Sequence, residues 1–151
     1  MKRSESIAGV ATTGLTTADG RKPQVAIVGG NASGAMVATV LCQQFGCTPL
    51  STPTGESVLA LLRRDVPLDL VLIDMSVPDM DGIVAVQLIR ALGTRGSLPV
   101  VALTNDKSEV TGMRARAAGF ASAVLKPYSP RELYTAMQAA LSRSAASTAS
   151  A

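Results

Sequence analysis

Histidine and tryptophan are both absent from the 151 residues, and there are only two Phe and two Tyr. Without an imidazole the chain has no Ser-His-Asp triad, no histidine acid–base chemistry and no phosphohistidine role. Cysteine is scarce too. Cys42 and Cys47 are the only two, and without histidine they fall short of the common zinc ligand sets. One lies late in a helical pattern and the other opens an apolar stretch, so both are expected to pack in the core. No apolar run approaches the roughly 20 residues that cross a bilayer. No continuous apolar segment follows Met1-Lys2-Arg3-Ser4-Glu5-Ser6, so a secretory signal is not expected and a cytoplasmic location is the default. Charge is sparse as well, at 17% of residues and a net +3. Four of the 14 basic residues, Lys2, Arg3, Arg21 and Lys22, stand near the N-terminus. No basic block is interleaved with aromatics, so neither a nucleic-acid nor a membrane partner is expected.

What the chain does have is aliphatic bulk. It is 47% hydrophobic, enough to bury one core, and its length suits one domain with tails. Residues 1–22 are rich in Thr, Ser, Ala and Gly and read as a flexible tail. Residues 23–143 read as the domain. Residues 144–151, low in complexity, read as a disordered tail. Within the domain, strand and helix patterns alternate. Short strands are expected at 24–28, 47–51, 68–73, 98–103 and 121–125. Helices are expected at 33–45, 55–64, 82–92, 107–118 and 129–141. Val37, Val40, Leu41 and Phe45 are expected to face inward from the first helix, and Val58, Leu61 and Leu62 from the second. The last helix opens on Ser129-Pro130-Arg131-Glu132, an N-cap Ser, Pro at the first helical position and Glu in the capping-box place. Leu133, Met137, Ala140 and Leu141 follow on its inner face. Five strands alternating with five helices imply an α/β fold, a doubly wound parallel sheet covered on both faces. The five-strand order 2-1-3-4-5 puts a crevice at the carboxyl ends of strands one and three.

The most informative stretch is Asp69-Leu70-Val71-Leu72-Ile73-Asp74-Met75-Ser76-Val77-Pro78-Asp79-Met80-Asp81-Gly82. Its apolar run ends abruptly on a carboxylate, Asp74, which therefore borders the crevice. Pro78 and Asp81-Gly82 then turn the chain into a helix. This segment resembles the phosphoacceptor segment of two-component receiver domains, the response regulators. In that family the acceptor Asp ends strand three, with Pro four residues and Gly eight residues later, as Asp74, Pro78 and Gly82 stand here. The resemblance covers roughly residues 24–142 and implies the flavodoxin-like fold. It makes Asp74 the candidate phosphoacceptor. It casts Thr104, ending strand four, as the hydroxyl that bonds the phosphoryl group. It casts Lys126, before Pro127, as the ammonium that stabilises an acceptor oxygen, with a cis bond to the proline.

The sequence departs from the receiver pattern at the end of strand one. Receivers carry two adjacent carboxylates there that hold Mg²⁺. Aligning on Asn31 puts Gly29 and Gly30 in their place. Asp74 and the Ser76 carbonyl remain as metal donors, so Mg²⁺ binding is expected to be weak and phosphorylation impaired. Asp79 and Asp106 are the possible substitutes. The switch aromatic three residues before the Lys is Ala123 here, and the small residue after the strand-four Thr is Asn105. The expected role is a divergent single-domain receiver without its own enzyme activity. Its expected partners are a histidine kinase or phosphotransfer protein and a downstream protein. The downstream partner would meet the face formed by the last two helices and strand five. A rival reading takes Gly29-Gly30 as a dinucleotide- or anion-binding turn. It is weakened by Asn31 in place of the second motif glycine and by the missing acidic residue near Leu50 to Thr52.

Overall fold

A computed structural model describes residues 14–17, 20–29, 35–75, 79–80, 82–92, 98–105 and 119–150, the last eight by backbone alone. Five strands form one parallel sheet: β1 (Gln24–Val28), β2 (Thr48–Thr52), β3 (Leu70–Asp74), β4 (Val100–Thr104) and β5 (Ser122–Leu125). Their order is β2-β1-β3-β4-β5, as the sequence implies. Four helices are described: α1 (Ala35–Gln44), α2 (Gly55–Arg63), α3 (Gly82–Arg90) and α4 (Pro130–Ser150). The helix expected at 107–118 lies outside the described residues.

The central strands are apolar on both faces because helices cover both. Alternate residues divide between two cores. Val25, Ile27, Leu70, Leu72, Val101 and Leu103 point to one side, where α1 and α4 supply Ala38, Leu41, Leu133 and Met137. Ala26, Val28, Val71, Ile73, Val100 and Ala102 point to the other, where α2 and α3 supply Val58, Leu59, Leu62, Ile83, Val86 and Ile89. This two-sided burial makes β3 and β4 read as unbroken hydrophobic runs rather than as alternation. The scarce aromatics meet edge to face, with Phe45 and Tyr134 centroids 5.2 Å apart. Both cysteines are buried free thiols. Among the described residues no helix is long and apolar enough to cross a membrane.

Several expectations need correction. In α1, Val37 and Val40 are 55% and 45% exposed, and the buried residues are Ala38, Leu41 and Cys42. α1 is apolar nearly all round, so periodicity alone did not select its inner face; the small Ala38 and Cys42 allow close approach to the sheet. In α2 the third buried position is Leu59 rather than Leu61. The segment expected to be an N-terminal tail is partly packed. Leu15 is buried in the core and its amide donates to the Phe45 carbonyl at 2.8 Å. Arg21 pairs with Asp69 at 3.3 Å. Leu15 stands among Thr and Gly neighbours with no large apolar partner at helix or strand spacing, so this contact was hidden. At the other end α4 runs to Ser150, past the boundary expected at 143. The Ala- and Ser-rich continuation extends an established helix, and propagation is far cheaper than nucleation.

Candidate functional site

The parallel register gathers three strand ends. Asp74 lies opposite Leu103 and Thr104 opposite Leu125, so β3, β4 and β5 finish side by side. Two backbone bonds carry the pairing past the strand ends: the Met75 amide to the Leu103 carbonyl at 3.0 Å, and the Lys126 amide to the Thr104 carbonyl at 2.7 Å. Asp74 and Thr104 are 2% and 1% exposed. The Lys126 ammonium bonds Asp74 Oδ2 at 2.8 Å, and the Lys126–Pro127 peptide is cis. A charge-assisted contact so shielded from water is stronger than one on an open surface. The structure thus places Asp74, Thr104 and Lys126 at one end of the sheet, where the sequence reading puts them.

The glycine after Asp74 has a packing reason. A Cβ on Gly82 would come within 2.6 Å of Met75 Sδ, so Met75 closes over the start of α3 only because residue 82 has no side chain. Met80 does the same over the first residue of α2, where a Gly55 Cβ would approach its Sδ to 2.7 Å.

At the end of β1 the chain turns through Gly29, which has φ 152°, a conformation L side chains rarely adopt. Thr52 pins this corner. Its hydroxyl donates to the Ile27 carbonyl at 2.9 Å, and its carbonyl accepts the Gly29 amide at 3.1 Å. An aspartate substituted at Gly29 would be strained as well as new. Gly30, Ser76 and Asp106 lie outside the described residues, and Gly30 brings no carboxylate wherever it stands.

Asp79, a possible substitute metal ligand, is engaged elsewhere. Its carboxylate accepts the Gly55 amide on Oδ1 at 2.9 Å and the Glu56 amide on Oδ2 at 3.1 Å. The Gly55 bond is the main cause holding this carboxyl below its usual pKa. Among the described residues no three His, Cys, Asp or Glu side chains gather to hold a metal ion. Asp74 is the one carboxylate described here at the strand ends, and an ammonium already meets it. Mg²⁺ usually takes one or two carboxylates and keeps several waters; the described residues offer it here a single carboxylate that is already paired.

Two neighbours went unnoticed in the sequence. Thr52 carries the β1 corner, and a buried strand-end Thr leaves no distinctive pattern. Tyr128 is half-buried, and its hydroxyl pKa is raised by burial first, then by Cys42 and Asp74. Its place two residues beyond Lys126 was the available signal. Ala123 packs against the α2–α3 core, and Asn105 is exposed.

The family model for the response regulator receiver domain matches residues 25–138. Receiver domains are signalling modules of two-component systems; they work with histidine kinases or phosphotransfer proteins and normally bind Mg²⁺ in the active site. The DNA-binding response regulator MtrA of Mycobacterium bovis is 29% identical over 125 residues, 83% of this chain and 53% of that protein. The chain spans about half the length of several such curated relatives. Among solved structures, the chemotaxis response regulator CheY4 of Vibrio cholerae is 22% identical. Its TM-score is 0.69, covering 78% of this chain and 97% of that one. The receiver domain of sensor histidine kinase PA1611 from Pseudomonas aeruginosa, a structure with magnesium coordinated in its active site cleft, has the same TM-score, 0.69, at 22% identity. It covers 80% of this chain and 98% of that one. These structural likenesses are to the fold. With the family model's match running from β1 into α4, the chain belongs to the response regulator receiver domain family.

Proposed function

We propose that this receiver acts through protein contacts in a two-component phosphorelay, with Asp74 as its phosphoacceptor and with Mg²⁺-dependent phosphorylation impaired. The observation that carries the acceptor role is the buried Asp74–Lys126 pair, 2.8 Å long, at the carboxyl end of β3. In the forward step a carboxylate oxygen of Asp74 attacks the phosphorus of a phosphohistidine on the donor protein. An O–P bond forms as the donor's P–N bond breaks. Lys126 balances charge on the oxygens, and Thr104 donates its hydroxyl to the phosphoryl group. Transfer of this kind depends on neutralising phosphoryl charge. With Gly29 and Gly30 in the carboxylate positions, Lys126 carries most of that work, and slow transfer follows. The role is that of a signalling partner rather than an enzyme.

The output surface in this reading is α4, β5 and residues 107–118. Leu125 on β5 is 45% exposed, an apolar contact point on that face. Ala123 in place of an aromatic removes the rotating side chain that couples site to surface, so the partner is bound with little regard to phosphorylation.

The test is titration with Mg²⁺ and beryllofluoride, read by NMR chemical shifts, with Asp74→Asn as control. The expected result is little change at millimolar Mg²⁺. Saturable shifts around Asp74, Thr104 and Lys126 that vanish in the variant would show that the cation site is intact, and the impaired-binding reading would be abandoned.

A further inference from the structure

The stretch from Asp74 to Gly82 meets two helices on one face of the sheet through Met75, Asp79 and Met80. At its start Met75 lies over Gly82, the first residue of α3. Near its end Met80 lies over Gly55, the first residue of α2. Beside Met80, Asp79 bonds the first two amides of α2, and the third, Ser57, is satisfied by the Thr54 hydroxyl at 3.1 Å. The first amides of any helix lack partners within it, and a carboxylate there is also favoured by the helix dipole. Thr54 is the local cap; Asp79, 24 residues away from Gly55, is a second one brought in by the fold. Both of its oxygens are used.

We propose that Asp79 is a positioning residue: its clasp on Gly55 and Glu56 anchors the acceptor loop to the start of α2 without help from a bound cation. The loop role rests on the reading of Asp74 as acceptor. In receivers that keep the acidic pair, the cation can tie the acceptor to the end of strand one. Here that end is Gly29, which has no side chain to offer. The tie comes from the neighbouring helix instead, and Met80 against Gly55 supplies its apolar half.

The experiment uses the full chain, comparing wild type with Asp79→Ala, which removes both acceptors, and Asp79→Asn, which keeps the shape and one acceptor. Amide exchange at Gly55 and Glu56, and the Met75 and Met80 methyl resonances, are recorded in EDTA and in millimolar Mg²⁺. Asp74 labelling by acetyl phosphate is followed in parallel. In wild type the two amides are expected to be protected, and the methyls dispersed, in EDTA as in Mg²⁺. In Asp79→Ala each amide should exchange about tenfold faster, as expected for the loss of its one charge-assisted bond at an exposed helix end. The methyls should move toward unstructured positions, and labelling should slow in step. Asp79→Asn should fall between. Unchanged exchange in Asp79→Ala, or methyls ordered only with Mg²⁺, would overturn the clasp. Faster exchange with unaltered labelling would overturn the positioning role. Wild type that takes no label would count against Asp74 as acceptor, while exchange and methyl shifts still decide the clasp.

Discussion

Lys126 and Asp74 meet at 2.8 Å with side-chain exposures of 18% and 2%, and removing one partner is costlier than removing both. Lys126→Met leaves the Asp74 carboxylate buried without its ammonium and should destabilise the fold by about 3 kcal/mol in urea unfolding. Adding Asp74→Asn to that variant should recover a large part of the loss, and a cycle with no coupling would show the pair to be dispensable. Asp79 offers a pH test of a different kind. Its carboxyl is held below the usual 3.8, so its contribution to stability is complete above that value and is lost as pH falls through the lower folded value. Wild type should therefore lose stability more steeply below about pH 4 than Asp79→Asn does, measured by melting temperature against pH. Identical slopes would mean that the clasp does not persist in solution.

The start of α4 is set locally. Ser129 and Glu132 cap one another: the Glu132 amide donates to Ser129 Oγ at 3.1 Å and the Ser129 amide to Glu132 Oε1 at 2.8 Å. Ser129→Ala should cost about 1 kcal/mol, seen as a lower urea midpoint with an unchanged slope. This capping box was readable because its residues are three apart. α2 begins in a less local way. Thr54 follows the same rule, but Asp79 reaches it from another loop, and no spacing within α2 reveals that. Helix α1 shows the limit of periodicity: with Met36, Val37 and Val40 exposed and Ala38 and Cys42 buried, hydrophobicity and burial point in different directions.

Across the whole molecule, the described residues before β1, 14–17 and 20–23, pack with the folded unit. Leu15 packs in the same core as Phe45, Cys42 and Cys47. Leu15→Ala should cost about 2 kcal/mol by loss of buried side-chain volume, whereas a detached tail would give no change. The two thiols report on that corner. Burial raises the Cys42 pKa, and Cys47 is pushed up to about 11, chiefly by burial and then by the Asp69 charge. Native protein at pH 8 should resist a thiol reagent, since the thiolate is the reactive species. Both cysteines should react once urea unfolds the chain, and the Leu15→Ala variant should label faster than wild type. Ready labelling of folded wild type would show that the corner opens freely.

By itself the sequence determined the elements that depend on neighbours along the chain. These include the strands, the capping box at Ser129, and the places of Asp74, Thr104 and Lys126 at the ends of apolar runs; that the three act together was implied by the resemblance to receivers. Local chemistry sufficed there, since strand length, turn residues and caps are short-range properties. Only the tertiary structure decided what depends on distant partners. It turned Ala38 rather than Val37 toward the sheet, drew Leu15 into the core, and brought Asp79 to the first amides of α2. It also showed Gly82 and Gly55 to be seats for Met75 and Met80. Each of these is a contact between segments that come together only when the crossovers pack both faces of the sheet, and no period along the chain encodes it.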